Sequence, residues 1–164
     1  MSTAISNSSP LIAFSAIGRL DLIQLTFGSI LIPEAVDREV NIPAPRSPFR
    51  PRTWQAVRAD WIFVLPVNEC PDLAILRANL GAGEAEAIVL AIERQLPILL
   101  DDLPARKMAL NLNLSPIGSL GILARCKQAR LIIDVKPFVF ALRNAGIFYA
   151  DRLIHKFLQD MGES

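Results

Sequence analysis

The stretch from Leu80 to Asp102, LGAGEAEAIVLAIERQLPILLDD, constrains the fold of this chain more than any other. After a break at Gly81 and Gly83, Glu84 through Arg94 contains neither proline nor glycine, and Ala85, Ala87, Ile88, Val89, Leu90, Ala91 and Ile92 make it apolar around nearly its whole circumference. A helix of that kind packs inside a protein rather than on its surface. Leu96 to Leu100 follows as a short, wholly apolar run, the pattern of a strand covered on both faces. A buried helix feeding a buried strand is the unit of a layered α/β protein, in which strand C-terminal ends face the functional edge of the sheet. Glu84 and Glu86 open the helix, and Asp101 and Asp102 leave the strand. Acids brought together at such an edge point to a bound divalent metal.

Each acid also has a structural explanation. Glutamates in a first turn suit the positive end of the helix dipole, and Asp102 is suited to cap a helix from Leu103 with Pro104 in its first turn. Capping does not prevent an aspartate from binding metal, and it leaves Asp101 unused. Glu84 and Glu86 lie roughly 200° apart around a helix and cannot easily serve one site. Glu84 is favoured because Ala87, Ile88 and Ala91 share its face.

The chain of 164 residues is long enough for one domain with a real core, and two would be cramped. Its 52% hydrophobic content is high, yet charges interrupt every apolar run before the roughly 18 residues of a membrane span. The start, MSTAISNSSPLIAF, lacks the basic region and cleavage site of a secretory signal, so a cytoplasmic protein is expected. A formal net charge of +1 places any nucleic-acid binding in a local patch. Cys70 and Cys126 lack zinc spacing, and the lone His155 leaves a Ser/His/Asp triad poorly supported. No phosphate-binding glycine loop and no internal repeat is present.

Strands and helices alternate along the chain. Thr3 to Ser6 reads as a strand, and a helix follows with Ser9 as cap and Pro10 in its first position. Asp21 to Phe27 is a second helix, Ile30 to Ile32 a strand, and Glu34 to Val40 a helix whose Glu39 is poorly placed for the dipole. Prolines from Asn41 to Arg52 rule out regular structure. Arg46, Arg50, Arg52 and Arg58, interleaved with Phe49 and Trp54, form a basic-aromatic cluster suited to single-stranded RNA or, equally simply, a solvated loop. Trp61 to Leu65 reads as a strand, Asp72 to Asn79 as a helix and, beyond Asp102, Leu103 to Leu112 as a helix. Arg106 and Lys107 near its start suit either a phosphate or a salt link to the acids. Ser115 to Ile117 is a last short strand, and helices follow over about Leu120–Ala129, Val135–Ala145 and Ala150–Met161. The expected architecture is a three-layer α/β/α sandwich around a mostly parallel sheet, with a C-terminal helical extension over about 134–162 that can cover the sheet, form a dimer or receive a partner. Asn7 and Asp101–Asp102 would meet at the strand ends, with Glu84 approaching from the helix between.

The ordered set ISNSSPLIAFSAIGRLDLI, ILIPEAVDREV, LGAGEAEAIVLA, ILLDDLPARKMA and IGSLGIL, with the close FALRNAGIFYADRLIHKFLQDMGE, resembles the prokaryotic PIN-domain family, in the branch similar to VapC-type toxins. The resemblance covers nearly the whole chain. It implies a Mg²⁺- or Mn²⁺-dependent ribonuclease that cleaves RNA, with an antitoxin protein as partner, while the C-terminal helix pair suits a homodimer. By position it implies a metal set of Asn7, Glu39, Glu84 and Asp102, with Asp101 as companion and Ser9 as a small hydroxyl residue near the metal. Arg46, Arg50, Arg52 and Arg106 would then contact RNA. The departure is Asn7, which stands where the family usually has its first aspartate. An amide oxygen still coordinates Mg²⁺, but it brings no charge and cannot act as a base. A weakened nuclease, or a non-catalytic RNA-binding or regulatory module, is therefore the alternative expectation.

Overall fold

The computed structural model describes residues 2–41 and 58–164. The arginines at 46, 50 and 52, with Phe49 and Trp54, lie outside the described residues. Within them the chain alternates as the apolar runs dictate. The first half comprises β1 (Thr3–Ser6), α1 (Ser8–Ala16), α2 (Asp21–Phe27), β2 (Ser29–Pro33), α3 (Glu34–Asn41), β3 (Ile62–Leu65) and α4 (Pro71–Asn79). Then come α5 (Ala82–Arg94), β4 (Ile98–Leu99), α6 (Leu103–Asn111), β5 (Pro116–Ile117), α7 (Ser119–Gln128), α8 (Lys136–Asn144) and α9 (Asp151–Asp160). No described helix is long and apolar enough to cross a membrane.

The strands form one parallel sheet in the order β3-β2-β1-β4-β5. β1 is the hinge of this order. Successive strands build outward from it on one side through β2 to β3, and the chain then crosses back to place β4 on its other side. The crevice outside a parallel sheet at such a reversal is where ligands bind in open α/β folds. Here it lies between the ends of β1 and β4, where the Asn7 N–H donates to the Leu99 carbonyl at 3.1 Å.

Alternation along the strands divides the core into two layers. Ala4, Ile30, Ile32 and Leu99 face one cluster with Leu11 and Phe14 of α1, Leu22 and Ile23 of α2, Ile122 and Leu123 of α7, Leu142 of α8 and Leu158 of α9. Ile5, Ile98 and Leu100 face the other, with Leu73 of α4, Ile88 and Leu90 of α5, and Ala105 and Ala109 of α6. Each leucine, isoleucine or phenylalanine so removed from water contributes about 1.5–3 kcal/mol, so sheet and helices are mutually dependent. α3 packs against both α1 and α5, which brings Glu39 against Ser8 and Gly83.

Two local readings need correction. α1 begins at Ser8 rather than Pro10, because Asn7 and not Ser9 is its cap: the Asn7 Oδ1 accepts from the Ser9 N–H at 3.2 Å. α5 begins at Ala82, so Gly83 is inside the helix rather than part of the break before it.

The C-terminal helices are fastened by Glu163. Its carboxylate accepts from Lys127 of α7 at 2.7 Å and from the backbone N–H groups of Val135 and Lys136, at the start of α8, at 2.9 and 3.0 Å. Burial alone would raise its pKa, but the Lys127 ammonium and the two N–H donors outweigh burial and hold it below the usual glutamate value. A depressed carboxyl stabilises the fold above its unfolded pKa and loses that contribution as pH falls through the lower folded value. Glu163→Ala is therefore expected to cost about 1–3 kcal/mol at neutral pH in urea unfolding. The gap between variant and parent should narrow only under acid conditions; a gap that grew on acidification would contradict this role.

Candidate functional site

Five acids of α3, α5 and the end of β4 are sorted by their surroundings into two kinds. Glu86 is buried, at 8% exposure, and fully employed. It accepts from the Ala35 N–H at 3.1 Å and from Arg77 Nη2 at 2.8 Å, so one side chain of α5 satisfies the first turn of α3 and ties down α4. Asp101 is similarly committed: its Oδ1 accepts from the Ser119 N–H at 2.7 Å and its Oδ2 from the Ser119 hydroxyl at 2.6 Å. Burial pushes the Asp101 carboxyl up, against the opposing pull of Ser119 and the Arg106 guanidinium. Arg106 in turn donates to the Leu100 carbonyl at 2.9 Å, at the end of β4. A Cβ on Gly118 would lie 2.8 Å from Arg106 Nη1 and 3.1 Å from Asp101 Oδ1, so a side chain at the α7 cap position would displace the arginine from this pair.

Glu84, Glu39 and Asp102 form the second group. Burial pushes the Glu84 carboxyl above the usual range; a hydrogen bond from its own backbone N–H opposes this, and the negative charges of Glu39 and Asp102 add to it. These carboxylates come from α3, from the first turn of α5 and from the residue leaving β4, so only the tertiary fold brings their fields together. Glu39 is held by the Ser8 hydroxyl, which donates to its Oε2. It also lies hard against α5: a Cβ on Gly83 would be 2.6 Å from both Glu39 carboxylate oxygens. Asp102 caps α6, its Oδ2 accepting from the Ala105 N–H at 3.0 Å, which fixes its rotamer while the residue is exposed at the crevice.

Asn7 is fully buried at the end of β1. Its oxygen is used in the α1 cap, and its Nδ2 has no hydrogen-bond partner. The cap decides which way the amide points, so the group left over is a donor rather than a free oxygen. Ser9 contributes its backbone N–H to that cap and lines a groove next to the acids. Ser8, Gly83 and Ser119 escaped sequence reasoning. Placing the start of α1 at Pro10 hid Ser8, and nothing local shows that Gly83 makes room for a glutamate 44 positions earlier.

The oxygen donors of Glu39, Glu84 and Asp102 suit a hard divalent cation, whose charge would relieve their mutual repulsion. Among the described residues, no three His, Cys, Asp or Glu side chains are gathered as a ready-made metal cage. The acids share a field, and the fit lies in the chemistry of their oxygen donors.

The two kinds of glutamate should separate in thermal unfolding without added metal. Glu86→Gln weakens a buried ionic tie and is expected to lower the midpoint by several degrees. Glu84→Gln removes a charge that burial and its neighbours disfavour, and is expected to leave the midpoint unchanged or raise it. The reverse order would show that the roles have been exchanged.

A family model described as DUF3368, PIN domain, matches residues 3–163. No curated protein and no solved structure matches the chain. PIN domains are generally nucleases and generally use divalent metal ions. With a parallel sheet whose order reverses between β1 and β4, and acids at that reversal, this chain belongs to the PIN-domain family.

Proposed function

We propose that this PIN domain is an endoribonuclease that hydrolyses RNA phosphodiester bonds with Mg²⁺ or Mn²⁺, and that it acts as a VapC-type toxin paired with an antitoxin protein. The observation that supports this most is the approach of Glu39 from α3 and Asp102 from the end of β4 to Glu84 in the first turn of α5, where burial first, and then the charges of these two neighbours, raise the proton affinity of Glu84. Glu39, Glu84 and Asp102 are the residues proposed to hold the ion. A divalent ion bound there would supply Lewis-acid polarisation of a phosphate and a lower pKa for an attacking water.

The remaining work falls to side chains of this chain. Ser8 keeps Glu39 turned toward α5, and the α6 cap keeps Asp102 in one rotamer, so neither carboxylate must be ordered when the ion arrives. Asp101, bound at both oxygens by Ser119, acts in this proposal by positioning α7 and Asp102 rather than as a free ligand. Arg106 braces the β4 end through the Leu100 carbonyl and lines the adjoining groove, where it is available to RNA. The toxin role and the antitoxin partner follow from the resemblance, and the homodimer from the apolar faces of the C-terminal helices. A small antitoxin-like reading frame beside this one would support them.

Asn7 favours a second reading, an attenuated nuclease or a non-catalytic RNA-binding module. With its oxygen in the α1 cap and its nitrogen buried, it adds no charge to the metal set. That reading predicts RNA binding that survives chelator, without cleavage at any metal concentration.

Purified protein incubated with structured RNA and Mn²⁺ separates the two. Cleavage that requires Mn²⁺ or Mg²⁺ and is abolished by chelator is expected. Asp102→Asn preserves the cap, since asparagine caps helices as well as aspartate, yet removes one charge. It should reduce cleavage by about a hundredfold or more at an unchanged melting temperature. Asn7→Asp should raise activity. Full cleavage by Asp102→Asn would refute the metal site, and no cleavage by either the parent or Asn7→Asp would leave the binding module.

A further inference from the structure

Beside the acids a groove of about 1080 Å³ runs from Asp102 along α7 to the connection between α8 and α9. Its size is at the upper end of the roughly 300–1,000 Å³ of small-molecule sites. The α8–α9 connection is built to present one ring. Ile147 and Tyr149 are partly buried and pack against the core, whereas Phe148 between them is 88% exposed and lines the groove. An anchored residue on either side thus holds the backbone that presents a phenyl ring in the open. The floor is α7, where Gly121, Ala124 and Gln128 follow at helical spacing. Two minimal side chains leave flat space, and the amide at the end offers both donors and an acceptor.

The charge along the groove is unequal. Of its acids, Asp101 is occupied by Ser119, and Asp102 belongs to the catalytic end. Arg125, at the other end, is exposed and has no ion-pair partner among the described residues. An open ring, a flat floor, a terminal amide and an uncompensated arginine match a nucleobase with its phosphate. A face of Phe148 is of use only to a base that is not already stacked in a duplex.

We propose that this groove is a nucleobase subsite for single-stranded RNA, with Phe148 stacking on an unpaired base and Arg125 meeting an adjacent phosphate. It deepens the ribonuclease reading and rests on it for the identity of the polymer. The site selects strands with a flipped or unpaired base next to the cut.

The full chain is titrated, in chelator to prevent cleavage, against a short labelled single-stranded oligoribonucleotide and against the same strand in a duplex, by fluorescence anisotropy. The single strand should bind more tightly than the duplex. Phe148→Ala should weaken single-strand binding about five- to hundredfold. Arg125→Ala should weaken it and make the salt dependence shallower by about 0.7 in log–log slope. Ile133→Ala, a similarly exposed apolar residue at 87% that does not line the groove, serves as control and should bind as the parent does. Binding that is indifferent to Phe148 and Arg125, in a protein that still cleaves RNA with Mn²⁺, would overturn the subsite and leave the nuclease reading intact. Binding that depends on Phe148, without cleavage at any metal concentration, would support the subsite and remove the nuclease. A chain that binds no RNA, or whose Phe148 is covered by a second protein chain in sedimentation and protection experiments, would overturn the subsite.

Discussion

The structure depends on β1 being paired on both edges and covered on both faces. Ala4 and Ile5 point into opposite core layers, and Ser6 and Asn7 are completely buried at its end. Because every strand beside it runs parallel, the residue leaving β1 and the residues leaving β4 must emerge on the same edge. The return of the chain from β3 across to β4 takes α5 over the sheet and places its N-terminus beside α3. The acid cluster is a consequence of strand order before it is a consequence of any particular carboxylate.

That geometry divides the acids between support and chemistry. Glu86 and Asp101 are each held by specific donors, and each fastens a helix: α3 through Ala35, α7 through Ser119. Glu84 is costly to ionise because it is half-buried, and neighbours of its own sign add to that cost. A fold tolerates such a group where the charge serves function, and perturbed carboxyls in a crevice are the physical mark of a site. Asn7 moderates this tension. Replacing an acid by an amide at the most buried position removes one repulsive charge, at the cost of an unpaired N–H₂ group and a smaller attraction for a cation.

Much of the fold was legible because burial leaves periodic traces. The apolar helix at 84–94 and the continuous strand at 98–100 fixed the layered class, and the 200° between Glu84 and Glu86 implied that only one could face the crevice. Less legible was what each acid touches. The tie from Glu86 to Ala35 spans 51 positions, and that from Asp101 to Ser119 spans 18, so neither has a local signature. The start of α1 was misplaced because Ser9-Pro10 imitates a cap followed by a first-turn proline, while Asn7, an equally good cap, lies two residues earlier. The groove was invisible for a similar reason: it is assembled from the α6 start, α7 and the α8–α9 connection, none of which is unusual alone.

The proposed metal centre is tested most directly by the anomalous scattering of Mn²⁺ in crystals of the unaltered protein. The proposal requires a peak in the crevice between β1 and β4, with carboxylate oxygens of both Glu84 and Asp102 at about 2–2.3 Å from the ion. A saturated crystal whose manganese lies elsewhere, or in which those carboxylates share no ion, would contradict it.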